Sequence, residues 1–251
     1  MAVRIVKSAE RTMALFELFS ARASGLRVSD VGRELNMPQP SVSMLLRSFV
    51  ELGYLEYDSR SRIFQPTVRV MLLGAWIADR FSKEGSIAKR LADLQRKVGG
   101  ETVYVAIQHA ASIQYVLSIE AKHADRLSVG SGQFRTITCS ASGRILLSLK
   151  PDDEVRRWVR RANAEAPDEH HRIREQDFLE ILSTVRANGY ASTSGVSSPN
   201  IAATAVAVPS PLGGMPLAIG AGGARQQIEK RRDLIVESLL ELREEFLNEA
   251  G

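Results

Sequence analysis

The sequence predicts an α+β protein in two parts: a small helical head closed by a β-hairpin, and a larger domain mixing strands with helices. Three observations predict it. Apolar residues up to Leu52 recur at helical spacing in three short runs. Two strand-like runs, Tyr54–Tyr57 and Ile63–Gln65, follow at once. Beyond Gly99-Gly100, segments of alternating polarity are interleaved with amphipathic helices, without the strict βαβ order of a parallel sheet.

In the first run Ala9, Met13, Phe16 and Phe19 share a helical face, with Ser8 as a candidate cap. A second helix is expected from Ser29, with Val31 and Leu35 inward. Asn36-Met37-Pro38-Gln39-Pro40 then turns the chain, and a first-turn proline is tolerated because that N–H lacks an intrahelical acceptor. The third helix, from about Gln39, carries a stripe of Val42, Leu45, Leu46, Phe49 and Leu52, and Gly53 ends it. The two strands that follow are joined by the basic turn Asp58-Ser59-Arg60-Ser61-Arg62.

Thr67–Phe81 reads as one continuous linker helix, with Val70, Leu73, Trp76 and Ile77 exposed for contact with a second copy. A helix is expected over Ser86–Val98. Strands are expected at Thr102–Gln108, Ile113–Glu120 and Leu127–Gly130. Helices follow at Ser142–Leu149, Asp152–Asn163 and Gln176–Asn188, the last capped by Gly189. Thr204–Val208 and Pro216–Gly220 form a hairpin, and Gln227–Ala250 one long charged helix.

Composition narrows the function classes. The 251 residues carry a net charge of +4. Residues 1–75 hold ten Lys/Arg against seven Asp/Glu, so most of the excess lies in the head, which favours a polyanionic partner. No run approaches the roughly 18 apolar residues of a membrane span, and the first residues lack the apolar core of a signal peptide. The single cysteine, Cys139, excludes an internal disulfide and suits a reducing cytoplasm.

Two short helices around a tight turn, followed by a hairpin, are what a winged helix-turn-helix needs to reach double-stranded DNA. The buried stripe turns Gln39, Ser41, Ser43, Met44, Arg47 and Ser48 outward. Gln and Ser are neutral groove readers, Arg takes guanine or phosphate, and Met meets a thymine methyl. Arg60 and Arg62 suit a wing over the phosphates or in the minor groove. A trihelical module that binds protein has the same spacing.

Several segments in order carry a family resemblance. They are Ser29–Pro38, Ser41–Arg47, Leu52-Gly53-Tyr54-Leu55, Leu72-Leu73-Gly74, Ala141–Leu147 and Asn188-Gly189-Tyr190-Ala191. Along nearly its full length the chain resembles the isocitrate-lyase-regulator (IclR) family of bacterial transcription factors. The resemblance implies a winged helix-turn-helix over 1–66, a helical linker over 67–85 and a GAF-like α/β effector-binding domain over 86–251. It also implies dimers that pair into tetramers. The chain departs from the family pattern at Gln39, where a basic residue is common, and at Ser43-Met44, where His-Arg is common. The operator is therefore not carried over.

Catalytic signals are poor. The four histidines, His109, His123, His170 and His171, have no metal-ligand spacing, and Cys139 lacks a CxxC partner. No metal or cofactor is expected. An enzyme with an appended DNA-binding domain is the rival reading, but residues 100–220 offer no nucleophile–base pair. A protein-interaction scaffold is a second rival.

The effector candidates are Ser140, Ala141, Ser142 and Gly143, where extended chain enters a helix. First-turn N–H groups would hold an anion there, or Ser140 and Ser142 would merely cap the helix. Ser197, Ser198 and Asn200 lie in a second, hydroxyl-rich segment, which is either part of the site or a surface loop. Val105, Ile107 and Leu117 are expected as apolar lining. The expected ligand is a small organic acid, aromatic acids included.

Overall fold

A computed structural model describes residues 6–77, 87–122, 127–130, 132–211 and 213–250. The chain forms two compact units, Met1–Asp79 and Arg80–Gly251. No described helix is long and apolar enough to cross a membrane.

Unit one contains α1 (Lys7–Arg22), α2 (Val28–Glu34) and α3 (Gln39–Glu51), then the antiparallel strands β1 (Leu55–Asp58) and β2 (Ile63–Pro66). Its core is Leu15, Phe19, Leu26, Val31, Met37, Val42, Leu46, Leu55 and Phe64. Val42 and Leu46 anchor α3 while Leu45 and Phe49 pack at the margin, so the expected stripe holds apart from Leu52, which caps the helix and is exposed. In α1 the inward face is Leu15 and Phe19, and Met13 is exposed. Leu26 pairs with Phe64 as a bridge and brings the start of α2 onto the hairpin.

The linker departs from the expected continuous helix. Helix α4 covers only Val68–Leu72, Leu73-Gly74 turn, and helix resumes at 75–77. Glycine in a helix interior costs about 0.5–1 kcal/mol relative to alanine, and Gly74 supplies the weak point. Phe81 and the other residues 78–86 lie outside the described residues, as does His123. The base of α4 is fastened to its own unit: Thr67 Oγ1 donates to the Gly53 carbonyl at 2.7 Å, and Arg69 lies 5.0 Å over the Tyr54 ring.

Unit two is built on a six-stranded antiparallel sheet. Its strands are β3 (Thr102–His109), β4 (Ser112–Ile119), β5 (Phe134–Thr136), β6 (Ala191–Ser194), β7 (Ile201–Val208) and β8 (Leu217–Ala224). They lie in the order β5-β4-β3-β8-β7-β6. Helices α6 (Ala141–Ser148), α7 (Asp152–Glu165) and α8 (Glu175–Asn188) cover one face through Ile145, Leu147, Val155, Val159, Phe178 and Leu182. Helix α5 (Ile87–Lys97) and helix α10 (Arg232–Ala250) cover the other through Leu91, Leu94, Ile235, Leu239 and Phe246. The arrangement is α+β, as expected.

Two expected elements are different. Leu127–Gly130 is irregular although Leu127 and Val129 are buried. Side chains meet its backbone instead of a strand ladder: Thr102 Oγ1 donates to the Leu127 carbonyl at 2.8 Å and Ser118 Oγ to the Val129 carbonyl at 2.6 Å. The expected long C-terminal helix is two, α9 (Arg225–Lys230) and α10, broken at Arg231. There the Arg231 guanidinium donates at 2.8 Å to the buried Glu101 carboxylate. That contact pairs a buried carboxylate with a cation.

Candidate DNA interface and effector site

The outward side of α3 and the hairpin form the first candidate site. A groove of about 440 Å³ beside α3 is lined by Arg27, Ser29, Ser43, Arg47, Tyr57, Arg60 and Arg62 among others. It unites four expected residues: Ser43, Arg47, Arg60 and Arg62. Gln39 and Met44 are exposed on α3 but do not border it, and Ser41 is half-buried. Arg27 and Tyr57 join them with no signal in the sequence. Arg27 precedes α2 in sequence, and Tyr57 reads as one residue of a strand; only the Leu26–Phe64 bridge sets them on one wall.

The hairpin turn is built around Asp58. Its carboxylate accepts from the N–H of Arg60 at 3.0 Å, the N–H of Ser61 at 3.2 Å and the Ser61 hydroxyl at 2.5 Å. The Ser61 hydroxyl, then the two N–H groups, hold its pKa below the usual aspartate range. Arg62 closes the turn with φ of 58°, in the left-handed region. Such turns suit Asp, whose side chain bonds its own backbone further on.

The second candidate site is the start of α6. Ser140 caps the helix: Gly143 N–H donates to Ser140 Oγ at 3.0 Å. A Cβ on Gly143 would overlap the Ile137 carbonyl, so glycine is required for the turn into α6. Both residues thus have structural duties. Ser142 is different. It is fully buried, and its Oγ has no hydrogen-bond partner of good geometry. It lies beside Tyr104, whose ring meets Tyr115 edge-on at 5.0 Å. Burial, then the neighbouring Tyr115, pushes the Tyr104 phenol far above the usual tyrosine range, and the nearby Ser142 hydroxyl draws it partly back. A Cβ on Gly220 would stand 2.5 Å from the Tyr104 hydroxyl oxygen, so that glycine makes room for the phenol.

The expected apolar lining is corrected. Val105, Ile107 and Leu117 belong to the opposite face of the sheet, against α5 and α10. Strand alternation turns Tyr104 and Ala106 toward α6 instead. The second candidate segment also stands apart from the first. Ser197 and Asn200 are exposed and Ser198 is half-buried, in the β6–β7 loop. Asn200 borders a different cleft, with Gly99, Glu101, Arg225 and Arg231. Cys139 is buried, and burial raises its thiol pKa. Among the described residues no group of His, Cys, Asp and Glu is placed to hold a metal.

A helix-turn-helix with an arginine-lined wing, joined to a separate α+β domain with a buried polar site, defines a ligand-sensing transcription regulator. Residues 8–59 match the IclR helix-turn-helix domain, and residues 85–245 match the family described as bacterial transcriptional regulator IclR C-terminal. The chain belongs to the IclR family of transcription regulators.

It is similar to the Pca regulon regulatory protein of Pseudomonas putida, 26% identical over 196 residues. The match covers 73% of this chain and 62% of that protein, so it spans less than two thirds of the relative. Among solved structures, an IclR family transcriptional regulator from Brucella abortus superimposes with a TM-score of 0.73 at 20% identity, covering 99% of this chain and 95% of the other. An IclR homolog from Microbacterium hydrocarbonoxydans complexed with 4-hydroxybenzoate superimposes with a TM-score of 0.71 at 16% identity, covering 95% and 98%. At these identities the two structures establish the fold.

Proposed function

We propose that this regulator binds a near-palindromic operator as a dimer and responds to a small organic acid, aromatic acids included, held at the start of α6. One observation carries the effector assignment: the Ser142 hydroxyl is fully buried and has no hydrogen bond of good geometry, with only the Tyr104 phenol beside it. An unmade hydrogen bond of this kind costs about 1–3 kcal/mol, and a bound carboxylate would remove the cost. First-turn N–H groups lack intrahelical acceptors and add to the attraction for an anion. Ser140, Ala141 and Gly143 shape this turn. Ser197, Ser198 and Asn200 belong to the site only if the β6–β7 loop moves. The relative complexed with 4-hydroxybenzoate supports an aromatic acid in a domain of this fold.

On DNA, Gln39, Ser41, Ser43, Met44 and Arg47 read the major groove, and Arg60 and Arg62 contact the backbone or minor groove. A symmetric dimer follows because one helix-turn-helix reads few base pairs. Of the expected contact residues Leu73 and Trp76 are exposed, whereas Val70 and Ile77 are half-buried; with the exposed Val68, Met71 and Leu72 nearby in sequence, Leu73 and Trp76 support a dimer contact within a linker over 67–85. The flanking domains are assigned to 1–66 and 86–251, with a further contact of the latter giving tetramers. A cytoplasmic location fits a DNA partner. The test is calorimetry of the full chain against a panel of carboxylic acids, with Ser142→Val beside the wild type. A ligand whose affinity ignores that substitution places the site elsewhere.

A further inference from the structure

We propose that Arg27 and Tyr57 are DNA-contacting residues that, with Arg60 and Arg62, hold the sugar–phosphate backbone of one strand in the groove beside α3. The proposal rests on the docking of α3 in the major groove set out above, and adds a backbone contact from the start of α2.

Charge pairing is the main argument. Arg27, Arg47, Arg60 and Arg62 line one groove, and no carboxylate lines it with them. Among the described residues none of the four has an ion-pair partner. Elsewhere in the same unit Arg33 lies 3.5 Å from Asp30, and Arg22 pairs with Glu34. The acid nearest Arg60 and Arg62 in sequence, Asp58, is occupied by three hydrogen bonds within its own turn, and Asp30, nearest Arg27, accepts from the Arg27 backbone N–H and lies by Arg33. Four like charges on one wall repel each other, and a polyanion relieves that repulsion. Guanidinium suits phosphate in particular, because its planar fork matches two oxygens.

The supports are rigid. Arg27 N–H donates to Asp30 Oδ2 at 3.0 Å, which fixes the backbone from which its side chain leaves. The Tyr57 ring lies 4.5 Å from that of Phe64, a core residue, at a tilt of 35°. Tyr57 lines the groove with the wing arginines, and its hydroxyl is a hydrogen-bond donor. Gln39 and Met44 are outside this groove. Ser43 and Arg47 border the groove from the base-reading side of α3, so the arginine wall begins at that side and continues through Arg27, Arg60 and Arg62 toward the backbone.

The experiment measures binding of the full chain to two duplexes of unrelated sequence over a range of salt. Arg27→Ala should weaken both duplexes by the same factor and reduce the slope of log K against log salt by about 0.9 for each bound chain. Arg27→Lys should keep the slope. Tyr57→Phe should weaken both duplexes equally and leave the slope unchanged, since it removes a donor and no charge. Arg33→Ala, already paired with acids, is the charge control and should not lower the slope. Thermal unfolding of each variant checks that the unit is intact. If the wild type shows no salt-dependent binding, the docking of α3 is wrong. If the wild type binds but Arg27→Ala has an unchanged slope, or loses affinity for one duplex only, the backbone contact is wrong and the docking stands.

Discussion

A methyl group on Gly143 would stand 2.6 Å from the carbonyl carbon of Ile137, and closer still to its oxygen. Gly143→Ala must therefore displace backbone at the entry to α6, at a cost of at least about 1–3 kcal/mol. Chemical denaturation should show a lower midpoint in the transition of unit two. Ligand affinity should fall with it, because the same displacement moves Ser142.

Ser140 and Ser142 should separate cleanly. Ser140→Ala removes a helix cap and should destabilise the domain by about 0.5–2 kcal/mol, whatever the ligand. Ser142→Ala removes a buried hydroxyl whose only neighbouring polar group of note is the Tyr104 phenol, with no hydrogen bond of good geometry. It should leave stability unchanged or raise it, and weaken ligand binding. Paired denaturation and calorimetry read both effects, and a large loss of stability in Ser142→Ala would contradict the assignment.

Arg47→Ala should cost about 1–3 kcal/mol at a preferred site and relax sequence preference there. Arg60→Ala and Arg62→Ala should weaken all sequences alike. A mobility-shift comparison of preferred and scrambled duplexes separates the two behaviours.

The wing should respond to Asp58 and to acid. The carboxylate is held below the usual aspartate range by the Ser61 hydroxyl and the N–H groups of Arg60 and Ser61. Its contribution to wing order is fully present above the unfolded aspartate value, about 3.9, and is lost as pH falls through the lower folded value. DNA affinity at neutral and mildly acid pH should thus be insensitive to this group. Asp58→Ala should weaken all duplexes equally, and Asp58→Asn should recover part of the loss. NMR of the Arg60 and Ser61 amides across an acid titration follows the same event directly.

Trp76→Ala with Leu73→Ala should shift the sedimentation of the full chain toward monomer at micromolar concentration. An unchanged sedimentation coefficient would remove the linker from the dimer contact.

The sequence was most legible where a period was long and one-sided. The α3 stripe identified Val42 and Leu46 as anchors and so identified the opposite, outward face. Short elements carried too little period: β5 has three residues and β6 four, and neither was expected. Faces of the sheet were harder still. Thr102–His109 is buried on both sides, so Val105 and Tyr104 look equally internal in sequence, and only the packing of α6 distinguishes them. Arg27 and Tyr57 are not legible as a pair in sequence because their proximity depends on one bridge between residues far apart in the chain.

The division of α3 also bears on how such a protein can change over generations. Met44 and Gln39 are exposed and outside the core, so replacing them should cost within about 0.5 kcal/mol. Val42 and Leu46, which hold the helix in place, face the other way. On the docking proposed above, mutations at these two positions that retarget the regulator need no stabilising companion, and a duplicated copy could drift toward a different regulon one substitution at a time while remaining folded throughout.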